Sequence, residues 1–179
     1  FAKANNQGMK IANGKYVLLL NSDTKVKKQV FKKLISFAKK TKDAGVIGPG
    51  LLNADGSLQA SCFHFPTIKN AIKEYWLGEK GLFDKYIPKG KNSIEVDAIV
   101  GAAFLITPKA LNSVGLLDER YFMYFEDLDY CRRVKRKALK VYYLPEANIM
   151  HYHGESGKKL ADRANQWRRL IPSSKIYHG

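Results

Sequence analysis

A strand, an amphipathic helix and a second strand follow one another in the first third of the chain, and this order restricts the fold more than any other sequence feature. The strands are predicted from the apolar runs in residues 15–21 and 45–52, and the helix from residues 27–40. Lysines occupy one side of the helix, and an apolar stripe occupies the other. The stripe consists of Val30, Phe31, Leu34, Ile35 and Ala38. This succession predicts an α/β domain.

The middle of the chain continues this pattern without internal repeats. Residues 51–61 surround an Asp-Gly turn and predict a hairpin. Residues 66–91 have no clean period and predict an irregular, partly helical excursion that can cover a site. Two apolar runs then surround Gly101, Pro108 opens a short helix, and a second amphipathic helix is predicted over 126–138.

The last third is predicted to contain two short strands and a helical tail. Residues 139–153 indicate two strands that are separated by a Pro-Glu turn. The chain is basic and aromatic from Leu160 onward, with a weak helical stripe formed by Ala164, Trp167 and Ile171. We therefore predict one domain over residues 1–157 and a basic aromatic tail over residues 158–179.

Composition indicates a globular chain whose charge has two interpretations. Of the 179 residues, 45% are hydrophobic, and no apolar run is long enough to cross a bilayer. The net charge of +15 indicates either an anionic partner or lysine-rich solvated faces. Cys62 and Cys131 have no second cysteine or histidine at metal-ligand spacing, so we predict two reduced thiols in a cytosolic protein.

Three groups of polar residues follow buried elements, where α/β folds place their sites. Asn21 and Asp23 follow the first strand and would point the same way if the strand continued. They can chelate a hard cation or contact a ribose and a diphosphate. Alternatively, Asp23 or Thr24 forms a turn that caps the next helix, and for an isolated pair that alternative is favoured.

The other two groups are a pair of acids and a pair of histidines. Glu126 and Asp127 follow an aromatic run, which favours a partly buried carboxylate able to act as a general base over ordinary first-turn charge. His151 and His153 alternate at a strand end, so they can ligate a metal or meet a phosphate. A half-exposed pair without a function is the alternative.

Taken in this order, four segments resemble family 2 glycosyltransferases of the GT-A fold, in particular their rhamnosyltransferase-like branch. The resemblance extends from residue 1 to about residue 157. It implies an α/β fold with a mixed sheet flanked by helices. The segments are ANNQGMKIANGKYVLLLNSDTKV, VDAIVGAAFLITPKAL, VGLLDERYFMYFEDLDYCRRV and VYYLPEANIMHYHGES.

The resemblance also implies how a donor is bound. Asn21, Ser22 and Asp23 match the motif that holds a divalent cation against the diphosphate of a nucleotide sugar, and His151, or else His153, completes the metal site. Mg²⁺ or Mn²⁺ is the implied ion, and a UDP- or dTDP-sugar is the implied donor. An Asn in the first position is neutral, so we expect weaker metal binding than at a site with two aspartates.

The implied chemistry is a single displacement that inverts the anomeric carbon. Asp127 matches the catalytic base that takes the proton of the acceptor hydroxyl, and Glu126 shapes its environment or holds an acceptor hydroxyl. The small residues Gly101, Ala102 and Ala103 would form the floor beneath the donor sugar or acceptor.

In the family, a strand, a helix and a second strand precede the segment that the first residues match. We therefore expect this chain to be a fragment that lacks those elements, with Tyr16 to Leu20 at an exposed sheet edge. Two other readings are a basic nucleic-acid-binding module, for which no motif is found, and a non-catalytic fragment.

The expected partners are a nucleotide-sugar donor and a glycan or lipid-linked acceptor, in surface polysaccharide synthesis in the cytoplasm. The lysine-rich helix and the tail from Arg163 to Tyr177 can rest on an anionic membrane at its inner face, or they are solvated surfaces. Nucleic acid is not expected as a partner.

Overall fold

A computed structural model describes residues 1–78, 80–152 and 163–179. Nine strands lie in these ranges: β1 (Val17–Leu20), β2 (Thr24–Lys25), β3 (Ala44–Leu52), β4 (Leu58–Gln59), β5 (Cys62–Phe63), β6 (Ile94–Val96), β7 (Ala98–Ile99), β8 (Ala103–Ile106) and β9 (Lys140–His151). The described helices are α1 (Ala2–Ile11), α2 (Lys28–Lys40), α3 (Ile68–Trp76), α4 (Pro108–Val114), α5 (Glu126–Arg136) and α6 (Arg163–His178).

The main sheet is mixed, as the sequence predicts. Its strands follow the order β1, β8, β3, β9, β2, with β4 added to β3 and β6 added to β9. The central pair, β3 and β9, is parallel, and β8 runs antiparallel to both β1 and β3. Within the described residues β1 pairs only with β8, so the predicted edge position of this strand is confirmed.

Helices cover both faces of this sheet because adjacent residues of its strands point to opposite sides. Val46 packs in the cluster that contains Tyr130 of α5, whereas its neighbour Ile47 packs with Leu34 of α2. All four side chains are at most 1% exposed. Truncation of such a residue, as in Leu34→Ala, costs about 2–5 kcal/mol in comparable cores.

The prediction of two strands over residues 139–153 is wrong, because β9 continues without a break from Lys140 to His151. Leu144 pairs with Pro49, and the next paired residue, Asn148, lies opposite Gly50. The intervening residues, which include the Pro-Glu dipeptide, form a bulge that removes them from the ladder. The strand resumes because Ile149 is buried in the same core as Leu144.

The buried faces of α2 and α6 differ from the apolar stripes that the sequence predicts. In α2 Val30 and Leu34 are buried, but Phe31 is 44% exposed because it lies about 100° around the helix from Val30. In α6 Ile171 is 53% exposed, while Ser173 and Tyr177 are buried. The side chains of Ala164 and Trp167 lie outside the described set.

The remaining local predictions are confirmed. Leu51 and Leu52 of β3 pair with β4 across the Asp-Gly turn. The segment 66–91 contains the single helix α3 and short irregular pieces. Cys62 and Cys131 are unpaired and buried. Burial raises the pKa of the Cys62 thiol to about 12, so it is protonated at neutral pH.

Candidate active site

The segment after β1 is a turn, so the expectation that Asn21 and Asp23 point the same way along a strand is wrong. The backbone N–H of Asn21 donates to the carbonyl of Ala102 over 2.9 Å. The Thr24 hydroxyl donates back to the carbonyl of Asn21 over 2.8 Å and closes the turn. Neither Asp23 nor Thr24 caps α2, whose N-cap is Lys27.

The turn brings Asp23 against His151 at the end of β9. Thr24 lies opposite His151 in the pairing of β2 with β9, and the N–H of Tyr152 donates to the carbonyl of Asp23 over 2.9 Å. Nε2 of His151 lies 3.4 Å from Oδ1 of Asp23, and both side chains are less than 10% exposed. The turn and the end of β9 thus bring together two of the residues that the resemblance implies for a metal site.

Gln59 of β4 orients the imidazole of His151. The Gln59 amide nitrogen donates to Oδ1 of Asn53 over 2.8 Å, which turns the amide oxygen toward Nδ1 of His151 at 2.7 Å. In this arrangement Nδ1 carries the proton and Nε2 presents its lone pair toward Asp23. Such a hydrogen bond to the far ring nitrogen is how metal-binding histidines are usually oriented.

The donor set at this end of the site fits a divalent cation. A carboxylate oxygen and an imidazole nitrogen lie 3.4 Å apart, and both are ligands that Mn²⁺ accepts. No group of three or more His, Cys, Asp or Glu side chains lies close enough to share an ion in the described ranges. A cation held here would therefore take further ligands from a diphosphate, from water or from Asn21.

The acidic pair begins α5 directly after a strained piece of backbone. Tyr124 and Phe125 have φ values of 70° and 68°, in the left-handed region that large side chains rarely adopt. Phe125 is the N-cap of the helix, and its side chain accepts no hydrogen bond from the N–H groups of the first turn. The sharp change of direction places Glu126 and Asp127 in the first turn of α5, facing β1 and β8.

Asp127 is held by two backbone N–H groups. Its Oδ2 accepts from Gly101 over 3.0 Å, and its Oδ1 accepts from Leu128 over 2.8 Å. Glu126 is also buried, at 6% exposed, and within the described part of the chain its Oε2 has no hydrogen-bond partner. The two neighbouring acids therefore differ, because both oxygens of Asp127 accept backbone hydrogen bonds whereas one oxygen of Glu126 accepts none.

These environments raise the pKa of both carboxyls. Burial, followed by the negative charge of Asp127, raises the pKa of Glu126 to about 8. Burial also raises the pKa of Asp127, although the N–H groups of Leu128 and Gly101 and the positive charge of Lys85 act in the opposite direction. Around neutral pH the pair therefore holds a proton, and the two N–H groups bonded to Asp127 favour the charged form of that carboxyl.

Apolar side chains explain the desolvation. The two carboxyls line a narrow crevice that has no room for a water molecule and whose other walls are almost entirely apolar. The remaining lining residues are Phe1, Leu19, Gly101, Phe104 and Leu117.

Two backbone residues connect the acidic pair with the turn after β1. Ala102 accepts the N–H of Asn21, and its neighbour Gly101 donates to Asp127. Both residues are buried, and a side chain at Gly101 would meet the ring of Phe1 at 3.3 Å. The small residues that the sequence singled out thus form the link between the two groups of polar residues.

The C-terminal helix packs against the segment that precedes the acids. The Ser173 hydroxyl donates to the carbonyl of Met123 over 2.9 Å. The buried ring of Tyr177 lies 5.3 Å from the ring of Phe125 and 3.8 Å from the guanidinium of Arg132, centre to centre. The end of α6 therefore supports the backbone that directs Glu126 and Asp127.

Several contributors were absent from the sequence-based prediction. Gln59, Lys85 and Ser173 lie far in sequence from the side chains they influence, and no local pattern indicates them. The sequence does indicate an ion pair for Asp129, because this residue lies four positions before Arg133 on a predicted helix. It is buried and binds Nε of Arg133 over 2.7 Å, which ties α5 to the backbone of Val114 and Leu116.

Ser22 and His153 are the two remaining residues that were predicted for the site. Ser22 is exposed in the turn between Asn21 and Asp23. His153 lies outside the described residues, as do residues 158–162 of the predicted tail. The structure thus brings together Asp23 with His151, and Glu126 with Asp127, around Gly101 and Ala102.

Known proteins resemble this chain in sequence. The family model described as "Glycosyltransferase like family 2" matches residues 2–170. A low-salt glycan biosynthesis hexosyltransferase of Haloferax volcanii is 25% identical over 156 residues, which are 84% of this chain and 48% of that protein. An N-acetylglucosaminyl-diphospho-decaprenol L-rhamnosyltransferase of Mycobacterium tuberculosis is 26% identical over 176 residues, with 86% and 57% covered. The chain spans about half the length of these relatives.

The fold also resembles a solved glycosyltransferase. A crystal structure of GalNAc-T7 with UDP, GalNAc and Mn²⁺ superimposes with a TM-score of 0.61 at 14% sequence identity. The match covers 86% of this chain and 30% of that one. The predicted GT-A fold is therefore confirmed.

Proposed function

Because the chain belongs to the glycosyltransferase-like family 2, we propose that its two polar clusters form the site of a metal-dependent sugar transfer that inverts the anomeric carbon. The observation that carries this proposal is the hydrogen-bonded link through Gly101 and Ala102. It joins the carboxylate of Asp127 to the turn that carries Asn21 and Asp23. A proton acceptor and a cation-binding pair thereby lie beside the same ends of the sheet strands, after β1 and β9 and before β8.

Asp127 acts as the general base in this proposal. Its carboxylate is fixed by the N–H groups of Gly101 and Leu128, which set its direction without protonating it. A raised pKa makes it a stronger acceptor for the proton of an attacking hydroxyl. The acceptor oxygen attacks the anomeric carbon as the bond to the diphosphate breaks, and the proton moves to Asp127. One displacement of this kind inverts the configuration.

Glu126 keeps the environment of that base dry and neutral. With a pKa of about 8 it is protonated at neutral pH, so it adds no second negative charge beside Asp127. A neutral carboxyl can also donate a hydrogen bond, and its Oε2 has no partner within the described chain. We propose that an acceptor hydroxyl occupies that position.

Asp23 and His151 would hold a Mg²⁺ or Mn²⁺ ion against the diphosphate, with Asn21 and Ser22 beside it. The ion, when bound, offsets the negative charge that develops on the leaving diphosphate. The chain's own contribution is orientation, because Gln59 fixes the imidazole and Thr24 closes the turn. The small residues Gly101 and Ala102 would form the floor beneath the donor sugar, and in this structure the ring of Phe1 packs against Gly101.

The donor and acceptor classes follow from the relatives. We propose a UDP- or dTDP-linked sugar, rhamnose included, as the donor and a glycan or lipid-linked acceptor, in cell-surface polysaccharide synthesis on the cytoplasmic side of a membrane. The mycobacterial relative is named for a decaprenol-linked acceptor, and the solved relative was crystallised with UDP and Mn²⁺.

Isothermal titration of UDP and then dTDP into the chain, with and without Mn²⁺, tests the proposal. We expect Mn²⁺ to strengthen binding of one of the two nucleotides, and Asp23→Ala to abolish that gain. Glu146→Ala is the matched control, because Glu146 is an exposed acid on the bulge of β9 and should leave binding unchanged.

Nucleotide binding that ignores Mn²⁺, or that survives Asp23→Ala with its metal dependence intact, would contradict the metal assignment. A folded chain that binds neither nucleotide in any condition would support the non-catalytic reading instead. Circular dichroism of every variant separates loss of binding from loss of fold.

A further inference from the structure

Helix α3 presents its apolar side to solvent. Ile68, Ile72 and Trp76 are 82%, 49% and 85% exposed. They are spaced four residues apart, so they form one stripe along the helix. Leu77, directly after the helix, adds a further side chain that is 69% exposed. Large apolar groups scattered singly are ordinary on a surface, but a continuous stripe marks an interaction site.

The polar side of α3 is the side that faces the protein. Nδ2 of Asn70 donates to the carbonyl of Phe65 over 2.9 Å. One turn later, Oε2 of Glu74 accepts the N–H groups of Leu82 and Phe83 over 2.7 and 3.3 Å. These contacts fix the rotation of the helix, so the outward direction of the apolar stripe is a consequence of satisfied hydrogen bonds.

Helix α2 shows the opposite and usual arrangement. Its apolar residues Val30 and Leu34 are buried in the core, and its lysines point outward. An orientation like that of α3 exposes hydrocarbon to water, and it is stable only if the apolar stripe has a partner at least part of the time. The partner has to cover an isoleucine and tryptophan stripe on a helix that lies flat on the surface.

The charge around α3 indicates the chemistry of that partner. Residues 66–91 contain six lysines and three acids. Lys69 lies beside the stripe and, with Lys80 just beyond the helix, is exposed. Glu74 is engaged with backbone N–H groups and does not face outward. Apolar residues with tryptophan, flanked by exposed lysines, are typical of helices that lie in the headgroup region of an anionic bilayer.

We propose that α3 and Leu77 form an interfacial docking surface by which this chain binds anionic lipid bilayers. Ile68, Ile72 and Trp76 enter the boundary between headgroups and acyl chains, while the lysines contact lipid phosphates. This goes beyond the proposed transfer reaction and places the membrane contact on α3 rather than on α2 and the tail. None of the described helices combines the length and apolarity that crossing a bilayer requires, so the contact is peripheral in this part of the chain.

The test uses the whole 179-residue chain with phosphatidylcholine vesicles that either contain or lack phosphatidylglycerol. The chain has two tryptophans, so a Trp167→Phe background leaves Trp76 as the only indole reporter. We expect co-sedimentation with the anionic vesicles, a blue shift of Trp76 fluorescence, and quenching by brominated acyl chains. High salt should weaken binding because the lysine contacts are screened.

Ile68→Ser with Ile72→Ser should weaken binding to anionic vesicles by at least about tenfold, since two apolar anchors are lost. Ile11→Ser and Phe31→Ser are the matched controls, because these residues are also exposed, at 80% and 44%, but lie on α1 and α2. Both should bind like the parent chain. Unchanged circular dichroism and thermal midpoints show that all variants fold.

Three outcomes overturn the proposal: equal binding by the double serine variant, equal binding to neutral vesicles, or a Trp76 that stays unquenched. Sedimentation without lipid identifies one specific rival. If the chain dimerises and the double serine variant does not, the apolar stripe contacts a second copy rather than a bilayer. Nucleotide titration is independent of these measurements, so failure of one proposal leaves the other intact.

Discussion

The two polar clusters of this chain use the same residue type, a buried aspartate, in opposite ways. Asp127 has a second acid beside it, apolar walls around it and two backbone N–H groups on its oxygens. Asp23 has a basic partner, the imidazole of His151, at 3.4 Å. Two neighbouring acids in a dry crevice have raised pKa values, because burial and the charge of the neighbour both disfavour the ionised form. A carboxylate and the lone pair of an imidazole can instead bind a cation together.

The difference shows how the strand ends on one side of a sheet can supply both proton acceptance and cation binding. Gly101 and Ala102 keep the two clusters adjacent through backbone contacts, so neither needs a side chain of the other. Substitutions should therefore separate the two behaviours. Changes at the acidic pair should alter chemistry and pH dependence, and changes around His151 should alter metal affinity.

The largest expected effect comes from Asp127→Asn. An amide still accepts the N–H of Gly101 but cannot take a proton, so sugar transfer should fall by about 10²–10⁴-fold. Nucleotide release from a panel of UDP- and dTDP-sugars, measured with the acceptor present, follows the reaction. Mn²⁺-dependent nucleotide binding should be unchanged, and Glu146→Gln should match the parent chain. Transfer that persists at the parent rate would show that Asp127 is not the base.

The next effect concerns the pH dependence of stability. In the native chain Glu126 keeps its proton up to a pKa of about 8, against 4.5 for an ordinary glutamate. The folded state therefore binds more protons than the unfolded state between these values, and the free energy of unfolding falls as pH rises through them. In Glu126→Gln this fall, a few kcal/mol in order of magnitude, should be absent.

Urea unfolding of the two proteins at several pH values measures that slope. Glu146→Gln is the control, since the carboxyl of this exposed glutamate is in contact with water in both the folded and the unfolded chain. If Glu126→Gln keeps the full slope of the parent chain, another group is responsible and the assignment of the proton to Glu126 is wrong.

At the other cluster, Gln59→Ala should weaken Mn²⁺ binding by about 10–100-fold. The reason is that Gln59 fixes the imidazole of His151 through Nδ1 without touching the ion. Titration of Mn²⁺ in the presence of nucleotide gives the affinity, and the pH dependence of stability should not move. Gln29→Ala, an exposed glutamine on α2, is a matched control. Equal affinity in the Gln59 and Gln29 variants would contradict the orienting role.

Much of the fold could be predicted from the sequence because apolar periodicity is local. The strand at Val17–Leu20, the hairpin at Asn53–Ser57 and the start of α4 at Pro108 all follow from local patterns, whereas the edge position of that strand was implied by the family resemblance. The single strand β9 could not, because a Pro-Glu dipeptide indicates a turn unless a neighbouring strand accommodates a bulge. That neighbour, β3, lies almost a hundred residues earlier.

The site was predictable in its residue types and less so in its geometry. The acids and His151 were found because they follow apolar runs. A turn at Asn21 was one of two alternatives left open by the sequence, because its hydrogen bonds depend on the backbone carbonyls of Asn21 and Ala102, which carry no sequence signal. The support from α6 was missed because the buried face of that helix includes a serine, which hydrophobic patterning does not count.

Substitution of Ser173 gives the smallest expected effect, and it tests whether the two polar clusters act independently. Ser173→Ala removes the hydrogen bond to the carbonyl of Met123, which lies just before the strained residues Tyr124 and Phe125. The free energy of unfolding should fall by about 1 kcal/mol. Ser113→Ala, an exposed serine on α4 that bonds only its own helix, should change little.

Because the described part of α6 contacts the acidic end and not Asp23, Ser173→Ala should also lower the transfer rate while Mn²⁺ affinity stays constant. A loss of stability without any loss of rate would show that the backbone at Tyr124 and Phe125 holds its shape unaided. A loss of Mn²⁺ affinity would show that the two clusters are coupled through the sheet. The acidic pair and the cation-binding pair would then not act independently.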